Sequence, residues 1–144
     1  MKKIAIGKFR GLQKISAENE VFSVLALDHR QNLRKSFNPN NPENVPDQKL
    51  IDLKKDILSG IKEGVTAFLL DPEVGSAQAV SAGVINGKNG LIVALEKTGY
   101  SGFATRRTSH ILEGWGVKKA KISGADAVKL LVYYHPDSDT ADSI

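Results

Sequence analysis

The stretch ADAVKLLVYYHPD, Ala125 to Asp137, sets a single cation, Lys129, inside an otherwise apolar run. Alanine, valine, leucine and tyrosine at this density leave no polar face, the pattern of a parallel β-strand covered on both sides. An ammonium group in such a place must be paired, must lose its proton, or must point into a wet cavity. The last two options are how Schiff-base enzymes obtain a nucleophilic amine. An ion pair with a neighbouring carboxylate accounts for Lys129 equally well, because ion pairs also bury lysines.

Three earlier stretches repeat the pattern. VFSVLALDHR (Val21 to Arg30), VTAFLLDPEVG (Val65 to Gly75) and GLIVALEKTGY (Gly90 to Tyr100) are apolar runs that end abruptly in charge. Between them lie segments of helical period. Asp47 is placed to cap a helix from Gln48 to about Glu63, with Leu50, Leu53, Ile57, Leu58 and Ile61 on one face and Gly64 at its end. A weaker helix is expected over Ala77 to Val84, and another from Ile111 to Ile122, closed by Ser123-Gly124. The loop Asn38 to Asp47 is too rich in proline and asparagine for either element. Strand-then-helix repeats with fully apolar strands predict right-handed βαβ units and a parallel sheet, hence the α/β class. Phe9, Leu12 and Ile15, at three-residue spacing, predict a helical turn ahead of the first strand that plugs the bottom of a barrel.

Composition narrows the chemistry. The 144 residues fit one domain segment, 1–144, of ordinary globular make-up, 41% hydrophobic and 25% charged. The +4 charge is spread rather than blocked, and aromatics are 6%, which argues against nucleic acid and allows small anionic ligands. Cysteine is absent, which excludes thiolate zinc sites and fits a cytoplasmic location. His29, His110 and His135 are too far apart to form a ligand-spaced pair, so neither a metal nor another cofactor is expected. No signal-peptide core follows Met1, and no apolar run approaches the roughly 20 residues of a membrane span.

Parallel α/β folds gather their active sites at the C-terminal ends of the strands. Here those ends carry Asp28-His29-Arg30, Asp71-Pro72-Glu73, Glu96-Lys97 and, after Lys129, His135-Pro136-Asp137. Acids beside lysines suit proton shuttling around an imine. Each residue also has a plainer reading. Asp28 serves as well as a loop cap, Asp71 with Pro72 as a turn device, and Glu96 and Lys97 as partners for each other. Arg106 and Arg107 would grip a phosphate or form a solvated pair.

LALDHR, LLLDPEVG, ALEKTGYSG and GADAVKLLVYYHPD, in that order, resemble the class I tagatose-1,6-bisphosphate aldolase family, which also includes sulfofructose-phosphate aldolases. The resemblance runs from about Phe9 to Asp139. It implies the N-terminal half of a (β/α)8 TIM barrel, about four βα units. It also implies a metal-independent Schiff-base lyase that cleaves a ketose 1,6-bisphosphate to dihydroxyacetone phosphate and glyceraldehyde 3-phosphate. Asp28 and Lys129 match the family's catalytic aspartate and fourth-strand lysine. His29 stands where the tagatose enzymes usually have glutamine. Substrate contacts are expected from His29, Arg30, Gln31, Asp71, Glu96, Lys97 and Arg107. A barrel typically needs about 250 residues, and the family's imine-forming lysine and acid/base glutamate belong to later strands. Lys129 is therefore expected to be the second lysine of the site, and the segment alone to be inactive. Its partners are expected to be a phosphorylated sugar and either a second copy or the C-terminal half-barrel. The alternative is an inactive half-barrel that binds a sugar phosphate or a partner half without turnover.

Overall fold

The computed structural model describes residues 3–61, 63–99, 102–103 and 107–136. Four parallel strands form one sheet in the order β1-β2-β3-β4: β1 Val24–Leu27, β2 Ala67–Leu70, β3 Gly90–Ala94 and β4 Ala127–Lys129. Consecutive strands are neighbours, and each connection carries helix: α2 Gln31–Phe37 and α3 Asp47–Gly60, then α4 Ser76–Ser81, then α5 Val117–Ile122. This is the succession of βα units that the apolar runs predict.

Alternation along the strands divides the sheet into two faces. Leu25, Leu27, Phe68, Leu70, Leu91 and Val93 face the helices, packed with Leu58 of α3, Ala79 of α4 and Ala120 of α5. Burying side chains of this size stabilises the fold by about 1.5–3 kcal/mol each. A second cluster, Val45, Leu50 and Val74, fixes α3 against the turn after β2. On the opposite face, Ala26, Leu69 and Lys129 line an open cavity.

The helix before the first strand, α1 (Ile6–Ile15), lies across the N-terminal ends of β3 and β4. Two glycines permit that approach. A methyl group at Gly11 would sit 2.5 Å from the Asp126 carbonyl oxygen, and one at Gly90 would sit 2.7 Å from Cγ2 of Ile15. The site therefore has the other end of the strands to itself.

Several element boundaries differ from the sequence-based expectations. Asp47 is the first residue of α3 rather than its cap, and its carboxylate takes a hydrogen bond from Arg34 of α2, a helix that the sequence pattern did not predict. The helix expected from Ile111 starts only at Val117, because Ile111 forms an antiparallel bridge with Glu96 and Gly114 turns with φ +65°. Strand β4 is three residues long and is not covered on both sides. It is the last strand of the sheet, and Val128, Leu130, Val132 and Tyr134 are exposed. No helix among the described residues is long and apolar enough to cross a membrane.

Candidate functional site at the C-terminal ends of the strands

A cavity of about 680 Å³ opens over the C-terminal ends of the strands. At its floor Lys129 Nζ donates to Asp28 Oδ2 at 2.8 Å and to Glu96 Oε1. The other oxygen of Glu96 accepts the Leu131 N–H at 3.3 Å. Asp28 follows β1 and Lys129 ends β4, so the first contact joins the two edges of the sheet. With strands spaced about 4.8 Å apart, the edges of a flat four-stranded sheet would lie about 14 Å apart. The closed contact requires a sheet curled toward its inner face, as a barrel wall is.

The three side chains differ in access to water: Lys129 is 29% exposed, Asp28 14% and Glu96 5%. Burial, the largest single influence on Lys129, lowers its pKa, but the hydrogen bonds the lysine donates to Asp28 and Glu96 and their negative charges outweigh it. The net result is a pKa above the ordinary 10.5. Lys129 is thus held as an ammonium ion, a donor and a positive charge rather than a free amine.

A second layer holds this arrangement. Arg30 is buried; its guanidinium donates to the Glu96 backbone carbonyl at 2.8 Å and pairs with Glu73. One arginine therefore ties the ends of β1, β2 and β3 together. Lys97 is fixed through its backbone, its N–H donating to the His110 carbonyl at 2.7 Å.

The sequence-predicted residues separate into groups. Asp28, Glu96 and Lys129 meet directly, and His29, Arg30, Gln31 and Lys97 line the same cavity. His29 is exposed, with Nδ1 4.0 Å from Asp28 Oδ1. Arg107 lies with its guanidinium carbon 5.8 Å from the ring centre of Tyr133, which lines the cavity. Arg106 lies outside the described residues. Asp71 is not in the cavity. One of its oxygens pairs with Lys54 of α3, and the other accepts the Glu73 and Val74 N–H groups at 2.9 and 2.7 Å. With every oxygen occupied and no exposure, Asp71 builds the turn after β2 rather than the expected substrate contact. Lys35 and Tyr133 also line the cavity and were not predicted. A period of two from Lys129 would have found Tyr133; Lys35 sits on the unpredicted α2.

Among the described residues, no three histidine or acidic side chains gather into a metal-binding group.

The family model for DeoC/LacD family aldolases matches residues 22–143. Among curated proteins, the chain is 38% identical over 127 residues to a tagatose 1,6-diphosphate aldolase of Streptococcus pneumoniae, covering 88% of this chain and 38% of that protein. It is 35% identical over 131 residues to the Lactococcus lactis enzyme of that name, covering 91% and 39%. Against tagatose 1,6-diphosphate aldolase 1 of Enterococcus faecalis it is 34% identical over 141 residues, covering 98% and 42%. The chain spans about two fifths of the length of the curated relatives it matches.

Proposed function

The chain belongs to the DeoC/LacD aldolase family, and from that premise we propose that it forms one wall of the active site of a Schiff-base aldolase acting on a ketose 1,6-bisphosphate. The four βα units are the first half of the family's (β/α)8 barrel. The remaining wall comes from further strands laid against the free edges of β1 and β4, supplied by a longer polypeptide or a partner half. A soluble, cytoplasmic enzyme of sugar-phosphate metabolism fits this reading and the absence of cysteine.

The observation that carries the proposal is the Asp28–Lys129–Glu96 cluster. In the reaction, a lysine amine outside this chain adds to the C2 carbonyl and water leaves, giving a protonated imine. A base removes the proton of the C4 hydroxyl, the C3–C4 bond breaks, and its electrons pass to the imine nitrogen as an enamine. Glyceraldehyde 3-phosphate departs as the aldehyde. Protonation at C3 and hydrolysis then release dihydroxyacetone phosphate and restore the amine. Lys129 donates hydrogen bonds to substrate oxygens and, as a fixed positive charge, lowers the pKa of the imine-forming amine. Asp28 and Glu96 hold the ammonium in place and accept from substrate hydroxyls. No metal enters this scheme.

Borohydride trapping of the full-length protein with dihydroxyacetone phosphate, followed by peptide mass mapping, tests the proposal. The expected adduct is on a lysine outside these 144 residues. Complete absence of an adduct, with no cleavage of tagatose 1,6-bisphosphate, would favour a half-barrel that binds sugar phosphates without turnover. That second reading draws on the exposed apolar side chains of Val128 in β4 and of Leu130, Val132 and Tyr134 just after it.

A further inference from the structure

The charges around the cavity are not all accounted for by the catalytic cluster. Asp28, Glu96 and Lys129 satisfy one another at the floor, and Arg30 is committed to Glu73 and to the Glu96 carbonyl. Two cations remain on the rim, Lys35 of α2 and Lys97 after β3, and neither has a carboxylate partner among the described residues. With Glu73 counted as the partner of Arg30, and His29 taken as neutral, the cations around the cavity still outnumber the anions by one. A phosphate monoester carries close to two negative charges at neutral pH.

The amide side chains nearby add neutral donors. Gln31 and Lys35 stand four residues apart on α2 and so share one helical face, and Asn32 lines the cavity beside them. Lys97 approaches from another element, on a backbone fixed by its hydrogen bond to His110 and by the bridge of Glu96 to Ile111. Two ammonium groups on separate supports, with two amide side chains lining the same cavity, suit a tetrahedral anion. The floor, with two carboxylates and one ammonium, suits hydroxyl and carbonyl oxygens.

We infer that Lys35 and Lys97, helped by Gln31 and Asn32, form a subsite for one of the substrate's two phosphate groups and thereby orient the sugar across the Asp28–Lys129–Glu96 floor. The choice of ligand rests on the aldolase reading; the anion subsite itself rests on the cavity's charge. Lys35 is then a specificity-determining residue that selects a phosphorylated end over a free hydroxyl.

The test uses the full-length protein with Lys35→Ala, Lys97→Ala and the double variant, assayed on the ketose bisphosphate and on the two monophosphates that each lack one phosphate. Each single change should raise KM by about tenfold with kcat nearly retained, since a charge-assisted contact is lost from ground and transition states alike. The effect should vanish for one monophosphate and persist for the other. An equal effect on both monophosphates, or no effect on any substrate, overturns the subsite. If the wild-type protein cleaves no ketose bisphosphate, the aldolase reading falls, and calorimetric titration with inorganic phosphate decides the subsite separately. Binding that the double variant loses supports it; equal binding, or none by the wild type, refutes it.

Discussion

Lys54 and Lys129 are each paired with an aspartate that follows a parallel strand, yet they occupy opposite sides of the sheet and opposite physical regimes. Lys54, reaching from α3 to Asp71, is sealed, the two side chains being 2% and 0% exposed. Lys129 is nearly a third exposed and opens on the cavity. The sealed pair has its remaining lone pairs filled by backbone N–H groups, so it can only hold the turn after β2 against α3. The open cluster has two carboxylates for one ammonium and faces a space large enough for a sugar phosphate. Burial of a charge is therefore a poor guide to function. What separates the two lysines is whether solvent, and so substrate, can replace the partner.

The largest expected effect is on the sealed side. Lys54→Ala leaves Asp71 buried without its counter-ion and should cost about 3–5 kcal/mol in urea denaturation. Lys129→Ala should cost distinctly less stability, because water can enter beside Asp28 and Glu96. In a full-length active enzyme it should lower kcat/KM by about a hundredfold or more. If the two variants were equally destabilised and equally inactive, the contrast drawn between the pairs would be lost.

A pH experiment sharpens the same contrast. The folded-state pKa of Lys129 lies above its ordinary 10.5, so the stability contributed by its charge is fully present below 10.5 and is lost as pH rises through the raised value. The stability gap between the wild type and Lys129→Met should stay level from neutral pH to about 10 and then narrow. A gap that shrinks between pH 7 and 9 would show that the amine is not held as an ammonium. The smallest effect belongs to the rim of Arg30. Glu73 is 46% exposed, so Glu73→Gln should cost about 1 kcal/mol or less, as exposed ion pairs do.

Much of the architecture was legible before the structure, because a fully buried parallel strand and a helix leave different spacings of apolar residues. The four runs ending in charge located all four strands and the end of the sheet at which the cavity opens. Lys129 was legible for the same reason, as the single cation in an apolar run. Its partners were not, since Asp28 lies 101 residues away in sequence and the contact depends on the curl of the sheet. Asp71 carried the same outward signature as Asp28, an acid closing an apolar run. Only the position of Lys54, a lysine on the core-facing side of α3, separates the two, and helical period alone does not say which lysine on a helix turns inward. Helix α2 escaped because Gln31–Phe37 is short and has few apolar residues to show a period. Lys35 was missed with it.

The central claim is that Lys129 is an ammonium ion fixed between two carboxylates and is not the imine-forming amine. The ¹⁵N resonance of its side chain, followed through a pH titration and assigned by comparison with Lys129→Met, tests this most directly. The account predicts an ammonium signal at neutral pH and a midpoint above 10.5. A midpoint near neutrality would contradict it, and would make Lys129 the nucleophile.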